Sequence, residues 1–342
     1  MKVLFIGGTG KISRAVSRLA VQKGLDLYLL NRGQHDAKFA ELPHGINYIQ
    51  ADIRDFEKVD QLLKTHQFDV VVEWIGYNIE QVENDIRLFG GKIEQYIFIS
   101  TASVYQRPLN HYLVNESTPL NNPYWDYSQK KIACEARLLH EYRKNGFPVT
   151  IVRPSLTYGD GMAPFAVSSS EHPWTIIDRM MRNKEIIVHG DGTSLWTMTH
   201  NTDFAKGILG LFDNIPAIGH AFHITSDEVL NWNQIAEIIG RAAGVKPKII
   251  HIPSEFICQF APEFTGTLFG DKAASVVYDN SKIKKFNPDF LADVTFYEGM
   301  KKSIKWFESN PSQCTVDHRI DQLMDRIIDA YRKGLVLCME DR

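Results

Sequence analysis

Residues 3–13 read VLFIGGTGKIS. Four apolar residues, the length of a buried strand, run into Gly7, Gly8 and Gly10 and then into a segment of helical period. A glycine turn between strand and helix lets the backbone approach a pyrophosphate, and the helix start offers free N–H groups and a positive dipole end. The spacing is GxxGxxS rather than GxGxxG, so Ser13 stands where a third glycine would pack the helix on the strand. The candidate cofactor contacts in this turn are Gly7, Gly8, Thr9, Gly10, Lys11 and Ile12. Because the apolar run is only four residues long and glycines follow at once, the stretch reads as a first strand rather than a secretory leader.

The same alternation continues outward. Short apolar runs at 3–6, 27–30, 46–50, 70–75, 96–100, 149–154 and 221–225 read as buried strands. Helical segments separate most of them. In the first, Ala15, Val16, Leu19 and Ala20 share a face and the helix closes on Gly24. This order predicts an α/β fold, a doubly wound parallel Rossmann sheet with a smaller interleaved C-terminal lobe. The division expected is a dinucleotide-binding part over 1–155 with parts of 200–230, a substrate lobe over 156–200 and 230–315, and a C-terminal helix within 316–342. That helix, about 317–333, carries an apolar stripe of Ile320, Leu323, Met324, Ile327, Ile328 and Tyr331.

Composition bounds the partners. The 342 residues carry a net charge of −3 with 44% hydrophobic and 23% charged residues, so no basic excess points to nucleic acid or an anionic membrane. No apolar run approaches the 18 or so residues that span a bilayer. Cys134, Cys258, Cys314 and Cys338 form no CxxC, which predicts a reduced, cytoplasmic protein with no cysteine-based metal site and no metal in its chemistry.

The second strand ends in LLNRG. An acid that would grip the adenosine ribose of NAD is missing there. Asn31 can still bond a ribose hydroxyl, while Arg32 can meet a 2′-phosphate, so the cofactor is NAD or NADP, with NADP favoured. Arg32 as a solvated turn residue is the plain alternative. Asp52 and Ile53 lie just past the third strand, where Asp52 can accept from the adenine amino group or simply form a turn.

Residues 122–131 read NPYWDYSQKK. Asn122-Pro123 predicts an N-cap and first helical position. On that helix Tyr127 shares a face with Lys131, four residues on, whereas Tyr124 has no lysine in reach. A surface ion-dipole pair is the bland reading, a catalytic phenol the sharp one.

In chain order the sequence then presents IGGTGKIS, ADIRD, FISTASVY, Tyr127-xxx-Lys131 with Glu135, IVRPSLTYGDG and HGDGTSLWTMTHNTDFAKGI. Over roughly residues 1–310 it resembles the extended short-chain dehydrogenase/reductases, the NAD-dependent nucleotide-sugar epimerases and dehydratases. The resemblance implies that Thr101, Tyr127 and Lys131 are catalytic, with Tyr127 and Lys131 also on the cofactor and Thr101 on the substrate. It further implies a homodimer and a sugar-like substrate. Its catalytic Ser/Thr lies four residues before the Tyr of a VYG run; here that run is VYQ, with Gln106 for glycine. The 4,6-dehydratases carry Asp-Glu after this Thr and the decarboxylases a Glu, but this chain has Ala102 and Ser103, the latter a candidate substrate contact. Epimerisation by transient oxidation remains, as does simple reduction or oxidation, including that of a non-sugar ketone. A non-catalytic dinucleotide sensor or RNA-binding relative is the reading from another class. Trp196 stands where relatives often place a diphosphate-binding arginine; it can stack on a sugar or sit in the core. His200 and Asp203 match a structural His and a helix-capping Asp.

Overall fold

A computed structural model describes residues 1–33 and 42–340, and the side chains of these up to 336. All seven expected strands form one parallel sheet. They are β1 (Lys2–Ile6), β2 (Asp26–Asn31), β3 (Asn47–Gln50), β4 (Val70–Glu73), β5 (Gln95–Ile99), β6 (Val149–Pro154) and β7 (Ala221–Ile224). Their order across the sheet is β7-β6-β5-β4-β1-β2-β3. The order reverses between β1 and β4, and the crevice outside the carboxyl ends of those strands is where such sheets take their ligands.

Near-continuous apolar runs form these strands because both sheet faces are covered. Val3, Phe5, Val70 and Val72 face one core with Ala15 and Val16 of α1 (Ser13–Gln22). Leu4, Ile6, Val71, Tyr96 and Phe98 face the other, with Cys134 and Leu138. The helices on these faces include α2 (Phe56–Leu63), α3 (Ile79–Phe89), α4 (Asp126–Asn145) and α5 (Asn201–Leu209). Gly24 ends α1 at φ +75°, as expected of a left-handed helix stop.

Two boundaries differ from the expected ones. The fourth strand stops at Glu73 rather than running to residue 75, because the Glu73 carboxylate accepts the Ile75 N–H and turns the chain. Helix α4 starts at Asp126, and Asn122 is no N-cap.

A third core lies among the C-terminal segments, around Trp196 and Trp232. Short ladders build it, pairing 195–196 with 230–231 and 185–189 with 248–252. The last helix, His318–Glu340, closes it with Ile320, Leu323, Met324, Ile327 and Ile328 buried and Tyr331 packed against them. It runs beyond the expected end near 333.

Candidate active site

The glycine turn after β1 is shaped by its neighbours. Gly7 and Gly8 sit at φ +103° and +79°. A Cβ on Gly8 would lie 2.6 Å from Leu29 Cδ2, so a side chain there would displace Leu29 as well as strain the backbone. Ser13, in place of the third glycine, is buried; its Oγ accepts the Gly10 N–H at 2.9 Å, and Ser17 donates to the Gly8 carbonyl at 3.0 Å. The serine therefore fixes the turn by hydrogen bonds where a glycine would act by close packing.

Beside this turn opens a cavity of about 290 Å³ at the ends of β1 to β3. Gly7, Thr9, Asn31, Arg32, Asp52 and Ile53 line it. Asn31 Oδ1 accepts the Gly33 N–H at 3.1 Å, whereas its buried Nδ2 has no partner among the described residues. An unpaired buried amide donor at the end of the second strand fits a ribose hydroxyl oxygen. Arg32 is exposed at the rim. Asp52 Oδ1 accepts the Arg54 N–H at 3.0 Å, so this residue forms the turn and lines the cavity at once. Gly8, Gly10, Lys11 and Ile12 lie outside this lining. Lys11 instead borders a separate cavity of about 430 Å³ between α1 and α5, and its carbonyl accepts from Asn201 at 2.9 Å. Together the glycine turn, the orphaned amide and the cavity fit a nicotinamide dinucleotide.

The trio of Thr101, Tyr127 and Lys131 assembles at the ends of β4 and β5. Lys131 is buried; its Nζ donates to the Gly76 carbonyl at 2.8 Å and the Ile99 carbonyl at 2.6 Å, and lies 5.9 Å from the Tyr127 ring centroid. Burial pulls its pKa down to about 8, while Glu73 pushes it back up. Tyr127 is raised to about 12, by burial first and the neighbouring Tyr77 second, with a hydrogen bond to Thr101 acting the other way. A neighbouring ammonium would by itself lower a phenol, but here desolvation sets the direction of the shift. Thr101 Oγ1 accepts the Ser103 N–H at 3.2 Å and sits 3.0 Å from Ser103 Oγ, which is itself 2.7 Å from Ser128 Oγ. Tyr124 is exposed and Lys130 pairs with Asp126 at the surface, so the i+4 partner is the one in the site. Glu135 grips the buried Arg153 at 2.6 Å and braces α4 against β6.

Two expected substrate contacts are corrected. Ser103 is buried with its hydroxyl between Thr101 and Ser128, so it positions Thr101 rather than meeting a substrate. Trp196 is 1% exposed and packs on Trp232, 5.9 Å between centroids, so it is a core aromatic and no stacking surface. His200, not Asp203, caps α5 by accepting the Thr202 N–H; the buried Asp203 accepts the Val294 N–H at 2.9 Å.

Sequence reading missed several groups. Asn122 donates to the Ser103 carbonyl at 2.7 Å and the Gly270 carbonyl at 2.6 Å, joining the catalytic loop to the lobe. Trp125, 5.4 Å from the Tyr127 ring, continues the site into a cavity of about 850 Å³ that Lys272 also lines. Behind Lys131, Glu73 and Asp85 form a buried carboxyl pair with Tyr96, whose hydroxyl donates to Asp85 at 2.6 Å. Burial raises both acids, Glu73 well above its ordinary range and Asp85 to about 7. Trp125 lies inside the stretch that drew attention to the pair; Glu73 had only its oddity, an acid in an apolar strand.

The sequence profile of the NAD dependent epimerase/dehydratase family matches residues 3–224. A chloroplast stem-loop binding protein of 41 kDa (form b) from Arabidopsis thaliana is 28% identical over 75% of this chain and 67% of its own length. The solved structure of Pal from Bacillus thuringiensis superposes with a TM-score of 0.74 at 22% identity, covering 91% of this chain and all of that one. A UDP-glucuronic acid 4-epimerase from Bacillus cereus, solved with UDP-glucuronic acid and NAD, gives 0.72 at 18% identity, covering 91% and 100%.

Proposed function

The chain belongs to the NAD dependent epimerase/dehydratase family, and we propose that it catalyses hydride transfer at a secondary alcohol or ketone of a sugar-like substrate. The buried Lys131, held by two backbone carbonyls beside Tyr127 and Thr101, carries this reading. A surface pair would not be desolvated and bonded in this way.

A bound nicotinamide dinucleotide would supply the hydride acceptor or donor. Gly7, Thr9, Asn31 and Asp52 would hold its adenosine and pyrophosphate side, and Lys131 its nicotinamide ribose. Asn31 with Arg32 in place of an acid favours NADP over NAD. Thr101 orients the substrate oxygen toward Tyr127, with Ser103 and Ser128 holding Thr101 in turn. The phenol, held at about 12, is protonated near neutrality. It therefore gives its proton to the forming alkoxide in reduction. In oxidation it must first lose that proton to solvent, and the fixed ammonium, 5.9 Å from the ring centroid, favours the phenolate. No carboxylate follows Thr101, so dehydration and decarboxylation are not part of this reading. A homodimer is.

The test is direct. The purified protein is incubated with each cofactor and a panel of sugars and ketones, and absorbance of the reduced cofactor is followed. Turnover that needs Tyr127 supports the proposal; a cofactor-binding protein inert on every class is what would sink it. The likeness to a stem-loop binding protein favours a second reading, RNA binding. Retention of an RNA stem-loop at physiological salt, undisturbed by cofactor, would support that one instead.

A further inference from the structure

We infer that Lys272 reads a single compact anionic group, a carboxylate or a phosphate monoester, on the substrate of this site. The inference rests on the hydride-transfer reading above and narrows its substrate class.

Three charged side chains cluster where the lobe meets the catalytic loop. Arg107 and Lys272 are almost fully buried, their side chains 1% and 7% exposed, and both turn to Asp271. Lys272 Nζ donates to Asp271 Oδ2 at 2.8 Å; the Arg107 guanidinium is 3.8 Å from Asp271 Oδ1 and donates to the Gly270 and Asp271 carbonyls. Two cations thus share one carboxylate, which leaves a positive charge in a desolvated wall. Such a charge is costly unless an anion meets it.

Lys272 is the member that can reach a ligand, for it lines the 850 Å³ cavity together with Trp125. Among the described residues its ammonium has one acceptor, Asp271, and otherwise faces the indole rings of Trp125 at 5.9 Å and Trp196 at 5.7 Å. Ring faces attract the cation without occupying its N–H donors in geometry. Trp125, which faces Lys272, lies 5.4 Å from the Tyr127 ring, so the cluster borders the end of the cavity nearest the phenol.

The rest of the cavity limits the size of the anion. Besides His172 and His318, its charged lining is Glu171, Glu263, Asp317 and Arg319, and Arg319 is taken by Glu263 at 3.0 Å. Beyond Lys272 the wall is therefore acidic on balance. A nucleoside diphosphate threaded along it meets carboxylates, whereas one oxyanion beside Trp125 meets Lys272.

Calorimetry with free aldoses, the matching uronates, aldose monophosphates and UDP-sugars tests this on the whole protein. The uronates or the monophosphates are expected to bind at least about ten-fold tighter than the neutral aldoses, and which of the two does so identifies the group. Lys272→Met, which keeps the stem and removes the charge, should abolish that preference, and Lys272→Arg should restore most of it. Neutral sugars binding as well as anionic ones in the wild type would overturn the inference, with no variant needed. So would UDP-sugars binding tightest with Lys272→Met unchanged. Hydride transfer is read separately by cofactor absorbance: turnover of neutral sugars alone defeats the inference and spares the proposed function. Lys272-dependent anion binding without any turnover does the reverse.

Discussion

The two sides of the active site are built differently. On the sheet side, each functional residue follows the end of a strand or rides the first turns of α4, and backbone groups hold it: two carbonyls on Lys131, amides on Thr101 and Glu73. On the lobe side, contacts join residues far apart in the chain, Asn122 to Gly270 and Arg107 to Asp271. The first kind of site follows from parallel-sheet topology, which brings strand ends together at the switch point. The second exists only once the lobe has packed, so it can diverge while the chemistry stays.

If this contrast is right, a large change in the lobe core should cost stability more than chemistry. Trp196→Ala removes a buried indole packed on Trp232 and should lower unfolding stability by about 3–5 kcal/mol. Denaturant titration measures it. In the fraction that remains folded, turnover should fall far less than in a Tyr127 variant; equal losses would put Trp196 back at the substrate.

Tyr127→Phe tests the sheet side. It keeps the ring, removes the proton, and should reduce kcat by a factor of about 10² or more with cofactor binding little changed. Tyr124→Phe, at an exposed position three residues earlier, should leave kcat near wild type. Stopped-flow or steady-state rates for both variants decide whether the helical register selects one phenol.

The same contrast governs how much of the molecule is legible in its amino-acid sequence. Seven strands and the Tyr127–Lys131 face can be read there because period and i+4 spacing are local properties. The burial of Lys131 is consistent with that face, but of its two carbonyl partners Gly76 belongs to no motif and Ile99 enters one only as part of FISTASVY. Asn122 misleads, since Asn-Pro has the composition of a helix start; its amide instead reaches the Gly270 carbonyl, 148 residues further along the chain. Trp196 leaves both fates open because an indole suits a sugar and a core equally well. Lys272 carries no signal at all: its meaning comes from Arg107, Asp271 and Trp125 meeting around it.

Cofactor choice is a smaller effect on the sheet side. Arg32→Ala should weaken NADP(H) by about 1–3 kcal/mol, the loss of a charge-assisted bond, with NAD(H) affinity little changed. Titration of intrinsic fluorescence with both cofactors reads it. Equal weakening of the two would mean that Arg32 packs on adenine or faces solvent.

The smallest effect concerns the carboxyl pair behind Lys131. Glu73 accepts the Ile75 N–H, and the turn so formed presents the Gly76 carbonyl to Lys131. Burial pushes its pKa up and so favours the neutral acid, which Glu73→Gln mimics, and kcat should stay within about three-fold of wild type. Stability should show the difference. An acid whose folded pKa is raised binds more protons folded than unfolded, so its proton favours the fold below its ordinary pKa and that advantage drains away as pH rises. For Asp85 the window runs from the ordinary 3.8 to about 7; for Glu73 it begins near the ordinary 4.5 and runs upward from there. The wild type should therefore lose stability relative to Glu73→Gln as pH rises from about 4.5 through the neutral range. Thermal melts of both proteins across that range measure the gap. A gap that is constant with pH would mean that Glu73 is ionised in the fold and serves as a true counter-ion to Lys131, and then Glu73→Gln should also cut kcat.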